Sequence, residues 1–371
     1  MSKKLICLVV LGLFLLLLLV VLWIKYNKET SELYRSQRNK KIELGPFYID
    51  NSGEKIFVYN PSIELDDDGG IIGVSRLTGR TFPECKTSFR QNEYSINKTI
   101  NNEIKQYPKE YRSEISSVIF WKLNDISNFK ILNSFSNIDL CDKTSSLKSA
   151  LKGDLGQGIE DPRIFRFLGE LWVYGHFRGN YEGKCVHSPV IFKINDSSKV
   201  IRLYTDNMRE IEKNWMPFEY DGELYFEYDI NPHVILKCDV ESGYCRIVYT
   251  SDKLNRNNHI ISKKHLGGGA PPKLFEMNGV KYFLGFGHTR EVKPVIRKNF
   301  FYVFRATPPF DIIMVGNEID VLEDENRDVE FGSGMVIKNN NNVIIACGIS
   351  DCYSMISEIP LNQIINSLTI L

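Results

Sequence analysis

Two carboxylates and a guanidinium stand together in Gly158-Ile159-Glu160-Asp161-Pro162-Arg163, just ahead of the alternating run Leu171-Trp172-Val173-Tyr174 and its polar end Gly175-His176-Phe177-Arg178. Proline fixes its own backbone and restricts the residue before it, while glycine frees the chain, so the segment is a stiff place from which to present an acid. Repulsion from Glu160 raises the pKa of Asp161 and attraction from Arg163 lowers it, which makes its protonation state tunable. Asp161 is therefore a candidate general acid or base, with Glu160 and Arg163 as neighbours that bind substrate. The bland alternative is a strand cap whose charges pair with one another.

The elements that must position these residues repeat one local event. A turn rich in Gly, Asp or Asn precedes an alternating apolar run at Ile71–Arg76, Leu171–Phe177, Leu224–Asp229, Val280–Gly287 and Val343–Gly348. Such turns followed by period-two runs are hairpin signals. Further strands are expected at Ser117–Lys122, Val190–Ile194, Val234–Cys238, Arg246–Thr250 and Phe300–Arg305, with a short closing helix near Pro360–Leu368 and no amphipathic helix of three turns beyond the stem. The pattern predicts an all-β fold, a five-bladed β-propeller with long loops, over a pair of β-sandwiches. Strand ends of a propeller converge on one face of its channel. Arg76, Arg178, Asn214, His233, His288 and Asp351 lie at or beside such ends and are candidate substrate-binding residues, the bases suited to phosphate or pyrophosphate. Trp215 is a candidate sugar-stacking ring, against the common alternative of a core aromatic.

In order along the chain, Tyr59-Asn60-Pro61 with Arg76, Gly-Ile-Glu-Asp-Pro-Arg-Ile at 158–164, Gly-Gly-Gly-Ala-Pro-Pro at 267–272 with Gly287-His288, and Cys-Gly-Ile-Ser-Asp at 347–351 resemble glycoside hydrolase family 130. That family comprises five-bladed propellers acting on β-mannosides, mostly as inverting phosphorylases, and is related to the mannosyltransferase/phosphorylases of glycosyltransferase family 108. The resemblance implies that Asp161 protonates the glycosidic oxygen in phosphorolysis, where one carboxyl suffices because phosphate needs no base. In a transferase it would instead take the proton of the acceptor hydroxyl. No cofactor or metal is implied. Asp66-Asp67-Asp68 superficially matches a metal-binding Asp-x-Asp, but it lies in an acidic hairpin turn without a nucleotide-binding βαβ pattern, and no Cys/His spacing resembles a zinc site.

Residues Leu5–Ile24 form an uncharged apolar run long enough to span a bilayer and lack a small-residue cleavage site, so the expected organisation is a tail at 1–4, a transmembrane signal anchor at 5–24, a stem at 25–44 and the propeller at 45–371. Basic residues after the run favour a cytoplasmic domain. The sequons Asn97-Lys98-Thr99 and Asn195-Asp196-Ser197 favour the opposite, a type II protein with a lumenal domain in the endoplasmic reticulum or Golgi. Of the eight cysteines, Cys7 lies in the apolar run, and Cys238 and Cys245 bracket a turn that a disulfide would close in an oxidising compartment. Formally the 46 basic and 46 acidic side chains cancel, leaving no field to draw in nucleic acid. An anchor, stem and sequons suit secretory-pathway transferases better than soluble scavenging phosphorylases. The expected activity is β-mannosyl transfer from a nucleotide sugar or sugar 1-phosphate to a glycan acceptor, ahead of β-mannoside phosphorolysis or hydrolysis and of a non-catalytic glycan-binding propeller.

Overall fold

The computed structural model describes residues 18–21, 47–49, 54–78, 94–95, 115–132, 157–181, 184–209, 211–257, 259–292, 295–319, 321, 330–349 and 353–371. Apart from the exposed helical Leu18–Val21, the expected anchor lies outside them, as do the stem, the Asn97 sequon and Asp351. No helix among the described residues is long and apolar enough to cross a membrane.

The first sheet contains β1 (Phe47–Ile49), β2 (Glu54–Leu65), β3 (Ile71–Thr78), β4 (Tyr94–Ser95), β5 (Ile115–Lys122) and β6 (Asp125–Ile131), of which β2-β3-β5-β6 form an antiparallel blade. The second blade is the meander β7 (Gln157–Phe167), β8 (Glu170–Tyr181), β9 (Lys184–Lys193) and β10 (Asp196–Arg202). The third is β11 (Met216–Tyr220), β12 (Glu223–Ile230), β13 (His233–Cys238) and β14 (Cys245–Ser251). The fourth comprises β15 (His265–Met277), β16 (Val280–Val292), β17 (Val295–Arg305) and β18 (Ile312–Val315), and the fifth β19 (Glu330–Lys338), β20 (Asn342–Ile349) and β21 (Tyr353–Pro360). After the short helix Leu361–Asn366, β22 (Thr369–Ile370) returns to pair with β18. All five apolar runs read from the sequence are second strands of blades, namely β3, β8, β12, β16 and β20.

Consecutive left-handed residues close the first hairpin of four blades: Leu168-Gly169 (φ 50° and 77°), Asp221-Gly222 (53° and 70°), Asn278-Gly279 (54° and 75°) and Asn339-Asn340 (53° and 54°). Such pairs match the right-handed twist of the flanking strands. The first strands touch in the cyclic order β2, β7, β11, β15, β19 and back to β2, which makes the arrangement a closed five-bladed propeller rather than two sandwiches.

Apolar burial between successive blades drives the closure. Ile72, Val74 and Val118 meet Ile159, Ile164 and Val173 between blades one and two. Phe165 and Tyr174 meet Trp215 and Phe226 between two and three. Phe218 and Ile235 meet Phe283 and Phe304 between three and four. Leu284 and Phe301 meet Met335 and Ile345 between four and five, and Val336 and Ile344 meet Ile63 and Trp121 to close the ring. Each fully buried side chain of this kind contributes about 1.5–3 kcal/mol relative to exposure. The outer strands β13 and β14 of blade three are joined by a Cys238–Cys245 disulfide across directly paired positions, as the sequence led one to expect.

Candidate active site

At the end of the propeller opposite these hairpins, the first strands stop running regularly. The β2–β3 register shifts between Tyr59 and Ser62, β7–β8 between Glu160 and Arg163, β15–β16 at Gly268 to Lys273, and β19–β20 between Gly332 and Gly334. Blade three reaches the same place through Asn214, just before β11, at φ 62°. Asn60-Pro61 and Asp161-Pro162 are the extra residues of the first two bulges, and both Asn60 (φ 52°) and Asp161 (φ 48°) are left-handed. A bulge re-aims a side chain, and the small polar Asn and Asp tolerate left-handed backbone better than most residues.

Those two bulges meet. Asn60 Nδ2 donates to Asp161 Oδ1 at 2.6 Å. Arg76 Nη2 donates to Glu160 Oε1 at 2.6 Å, its Nε donates to Ser116 Oγ at 2.8 Å, and its Nη1 stands 3.9 Å from Asp161 Oδ1. Ser116 in turn donates to the Ile159 carbonyl at 2.9 Å, so the chain entering the acidic turn is held from blade one. Asn60 occupies space that only a glycine leaves, because a Cβ at Gly348 would lie 1.9 Å from its Oδ1.

The two carboxyls are driven apart in pKa. Burial raises Asp161, but Arg76, Arg163, the Asn60 hydrogen bond and Lys213 together outweigh it and hold the group below the ordinary aspartate range. Burial, aided by Asp161 and opposed by Arg76, Arg178 and Lys213, raises Glu160. Opposite Glu160 in the ladder, His176 is buried against His187, with ring centroids 3.6 Å apart. Burial and surrounding cations keep both rings neutral, His187 being pushed down to about 3. Among the described residues, both nitrogens of His176 and Nδ1 of His187 are buried without a hydrogen-bond partner. A site with a carboxyl held below its ordinary range, Arg76, Arg178 and Lys213 nearby, and neutral imidazoles can bind an anion and accept a proton beside it.

The structure sorts the sequence candidates. Asp161, Glu160, Arg76 and Arg178 converge on one place, with Asn214 beside Lys213, while His288 is buried directly across from Gly267. Arg163 does not reach a ligand: fully buried, it donates to the carbonyls of Gly269, Asp161 and Pro162 and lies 5.0 Å from the Phe331 ring centre, bracing the acidic turn from behind. Trp215 is also fully buried, packed on Phe226 and Tyr228 with Nε1 donating to Glu212, so its ring offers no face for stacking. His233 is committed elsewhere, with Nε2 2.8 Å from Glu227 Oε1 in a buried group completed by the Tyr302 hydroxyl. Its place at a strand end misled because the third-blade end turns into the wall against blade four. Sequence reasoning did not select Asn60, His176, His187 or Lys213. Asn60 stood inside a quoted motif and His176 beside the motif strand, whereas only the β8–β9 register brings His187 opposite Arg178. No cluster of His, Cys, Asp and Glu among the described residues could hold a metal ion.

No family model matches the chain. Over part of its length it is similar to beta-mannosyltransferase 1 of Komagataella phaffii, 29% identical over 121 residues that cover 28% of this chain and 18% of that protein. It is likewise similar to beta-mannosyltransferase 3 of Candida albicans, 38% identical over 77 residues, covering 20% of this chain and 14% of that protein. The chain thus matches less than a fifth of the length of these relatives. Among solved structures it is similar to MPT-4, a mannose phosphorylase from Leishmania mexicana, with a TM-score of 0.47 and 12% identity over 94% of this chain and 96% of that one. MPT-1, a GDP-Man-dependent mannosyltransferase from Leishmania mexicana, gives a TM-score of 0.46 and 13% identity over 89% and 92% of the two chains.

Proposed function

We propose that the chain is an inverting β-mannosyltransferase in which Asp161 is the general base. The observation that carries this reading is the environment of one carboxyl: Asn60 and Arg76 hold Asp161 ionised, so it can take a proton but has none to give. The acceptor hydroxyl oxygen attacks the anomeric carbon of the donor from the face opposite the leaving group and passes its proton to Asp161. As the new carbon–oxygen bond forms, the bond from that carbon to the phosphate oxygen breaks, and the phosphate departs with the electron pair. Arg76, Arg178 and Lys213 stabilise the charge that gathers there. Similarity to beta-mannosyltransferases supports the choice of sugar. The donor is an activated mannose and the acceptor a glycan.

One observation favours a second reading, phosphorolysis or hydrolysis of β-mannosides: burial raises the pKa of Glu160, a second carboxyl beside Asp161 and the anion-binding cations. Incubating the full chain with GDP-mannose or mannose 1-phosphate and a panel of mannosides, with products read by mass, separates the two. Product from GDP-mannose supports transfer, and product only from mannose 1-phosphate identifies a phosphorylase running in reverse. Mannoside binding without product from either donor would leave the glycan-binding propeller instead.

The same reading includes a type II membrane anchor at residues 5–24 and a lumenal domain. The Cys238–Cys245 disulfide and the exposed turn carrying Asn195 support it. Loss of an apparent glycan mass on endoglycosidase treatment of the protein from its own cell type would agree with this topology, and cleavage of the domain by protease added outside sealed microsomes would contradict it.

A further inference from the structure

Blade four is built longer than its neighbours at the active-site end. There β15, β16 and β17 run on as a three-stranded extension in which His265, Arg290 and Arg297 stand directly opposite one another, followed two positions inward by Gly267, His288 and Asn299. Side chains alternate between faces of a strand, so all six positions share one face. Leu266, Thr289, Glu291 and Lys298 occupy the other.

The two faces treat charge differently. On the far face Lys264 is 2.7 Å from Glu318 and 3.6 Å from Glu291, and Thr289 donates to Glu318, so cation and carboxylates balance. On the near face neither Arg290 nor Arg297 makes an ion pair among the described residues, and Nε of each is buried without a hydrogen-bond partner. His288, only 4% exposed, has a buried Nδ1 in the same condition, and its ring lies where a Cβ on Gly267 would come within 2.6 Å. The near face is also linked to the brace of the acidic turn. Phe331 is 5.6 Å from the Arg297 guanidinium, 5.1 Å from the His288 ring and 5.0 Å from Arg163, the residue that braces the Asp161 turn. Cation–π contact with Phe331 holds the Arg297 guanidinium without using its hydrogen-bond donors.

We propose that this face binds the diphosphate of a nucleoside diphosphate sugar, with Arg290 and Arg297 as its anchors and His288 as a further polar contact. The inference rests on the transferase reading and deepens it, because it selects between the two donor classes. A sugar 1-phosphate carries one phosphate, which the Arg76, Arg178 and Lys213 group can hold by itself. A second set of cations without ion pairs among the described residues, on a different blade and joined to the Asp161 turn through Phe331 and Arg163, fits a donor whose negative charge extends over two phosphates. Guanidinium groups suit this task because their forked donors match phosphate oxygens.

The test is calorimetric titration of the full chain and its Arg297→Gln, Arg290→Gln and Lys264→Gln variants with GDP, inorganic pyrophosphate and inorganic phosphate. The proposal expects either arginine change to weaken GDP and pyrophosphate by about ten-fold or more, with phosphate altered less than about two-fold and the Lys264 variant behaving as wild type. Using two arginines keeps the test decisive should one variant unfold on thermal melting. Unchanged GDP and pyrophosphate affinity in folded variants would overturn it, as would no GDP binding by wild type or an equal loss in Lys264→Gln. Because binding is read without turnover, the two ideas fail separately. Wild-type transfer with GDP binding indifferent to both arginines sinks this inference alone, whereas Arg297-dependent GDP binding without any transfer sinks the transferase reading alone.

Discussion

The two ends of the same first strands are built on opposite principles. At the hairpin end, left-handed pairs such as Asn278-Gly279 close regular ladders, and charges are matched: Arg166 to Asp67 at 2.8 Å, Lys237 to Glu223 at 3.0 Å and Lys273 to Glu64 at 2.5 Å. At the other end, four of the five first strands break register, left-handed Asn60 and Asp161 meet across blades, and several buried polar atoms lack partners among the described residues. Regular pairing at one end specifies the blade, while broken register and most of the buried polar atoms without partners among the described residues gather at the other. This is the distribution expected where local rules are set aside for function.

The active-site end loses most if its brace is removed. Arg163→Met leaves the carbonyls of Gly269, Asp161 and Pro162 without their donor and is expected to destabilise the fold by about 3–5 kcal/mol in a denaturant melt. A loss below about 1 kcal/mol would mean that the acidic turn stands without it. Gly348→Ala comes next. Its methyl group collides with Asn60 Oδ1 and displaces Asn60 from Asp161, so turnover should fall about 10–100-fold while stability drops by about 1–3 kcal/mol. Equal activity in that variant would show that the Asn60 contact is dispensable.

A subtler change sharpens the electrostatic side. With Asp161 held below its ordinary pKa, its contribution to stability is complete above the unfolded value and is lost as pH falls through the folded one. Transfer should follow the same ionisation and decline only on the acid side. Asn60→Ala removes one lowering contact, so the acid limb of kcat/KM should move toward higher pH. A limb that stays put or moves down would contradict this. Smallest of all is the effect at the hairpin end: Arg166→Ala, removing a partly exposed ion pair, should cost about 1 kcal/mol or less and leave kcat unchanged.

The hairpin end was legible in the sequence for a physical reason. Turn chemistry and period-two alternation are local, so Leu168-Gly169 or Asn278-Gly279 announces its strand without knowledge of the rest of the chain. The Glu160-Asp161-Pro162-Arg163 turn was legible for the same reason. What pairs with it was not, because Asn60 and Arg76 arrive from another blade and His187 from the register of β9. Residue type alone also misassigned roles. Arg163 braces backbone instead of binding substrate, Trp215 fills the boundary between blades two and three, and His233 serves a buried Glu227–Tyr302 group. In each case burial, which one sequence does not display, decided the outcome.

The central claim is that the Asp161 carboxylate, and not the charge of the pocket as a whole, takes the proton in transfer. Its most direct test is single-turnover transfer from GDP-mannose by the full chain and by Asp161→Asn, with mannoside binding measured on both. The account predicts that Asp161→Asn slows transfer by about 10²–10⁴-fold while binding changes less than about three-fold. Transfer within ten-fold of wild type by a folded Asp161→Asn protein would contradict it.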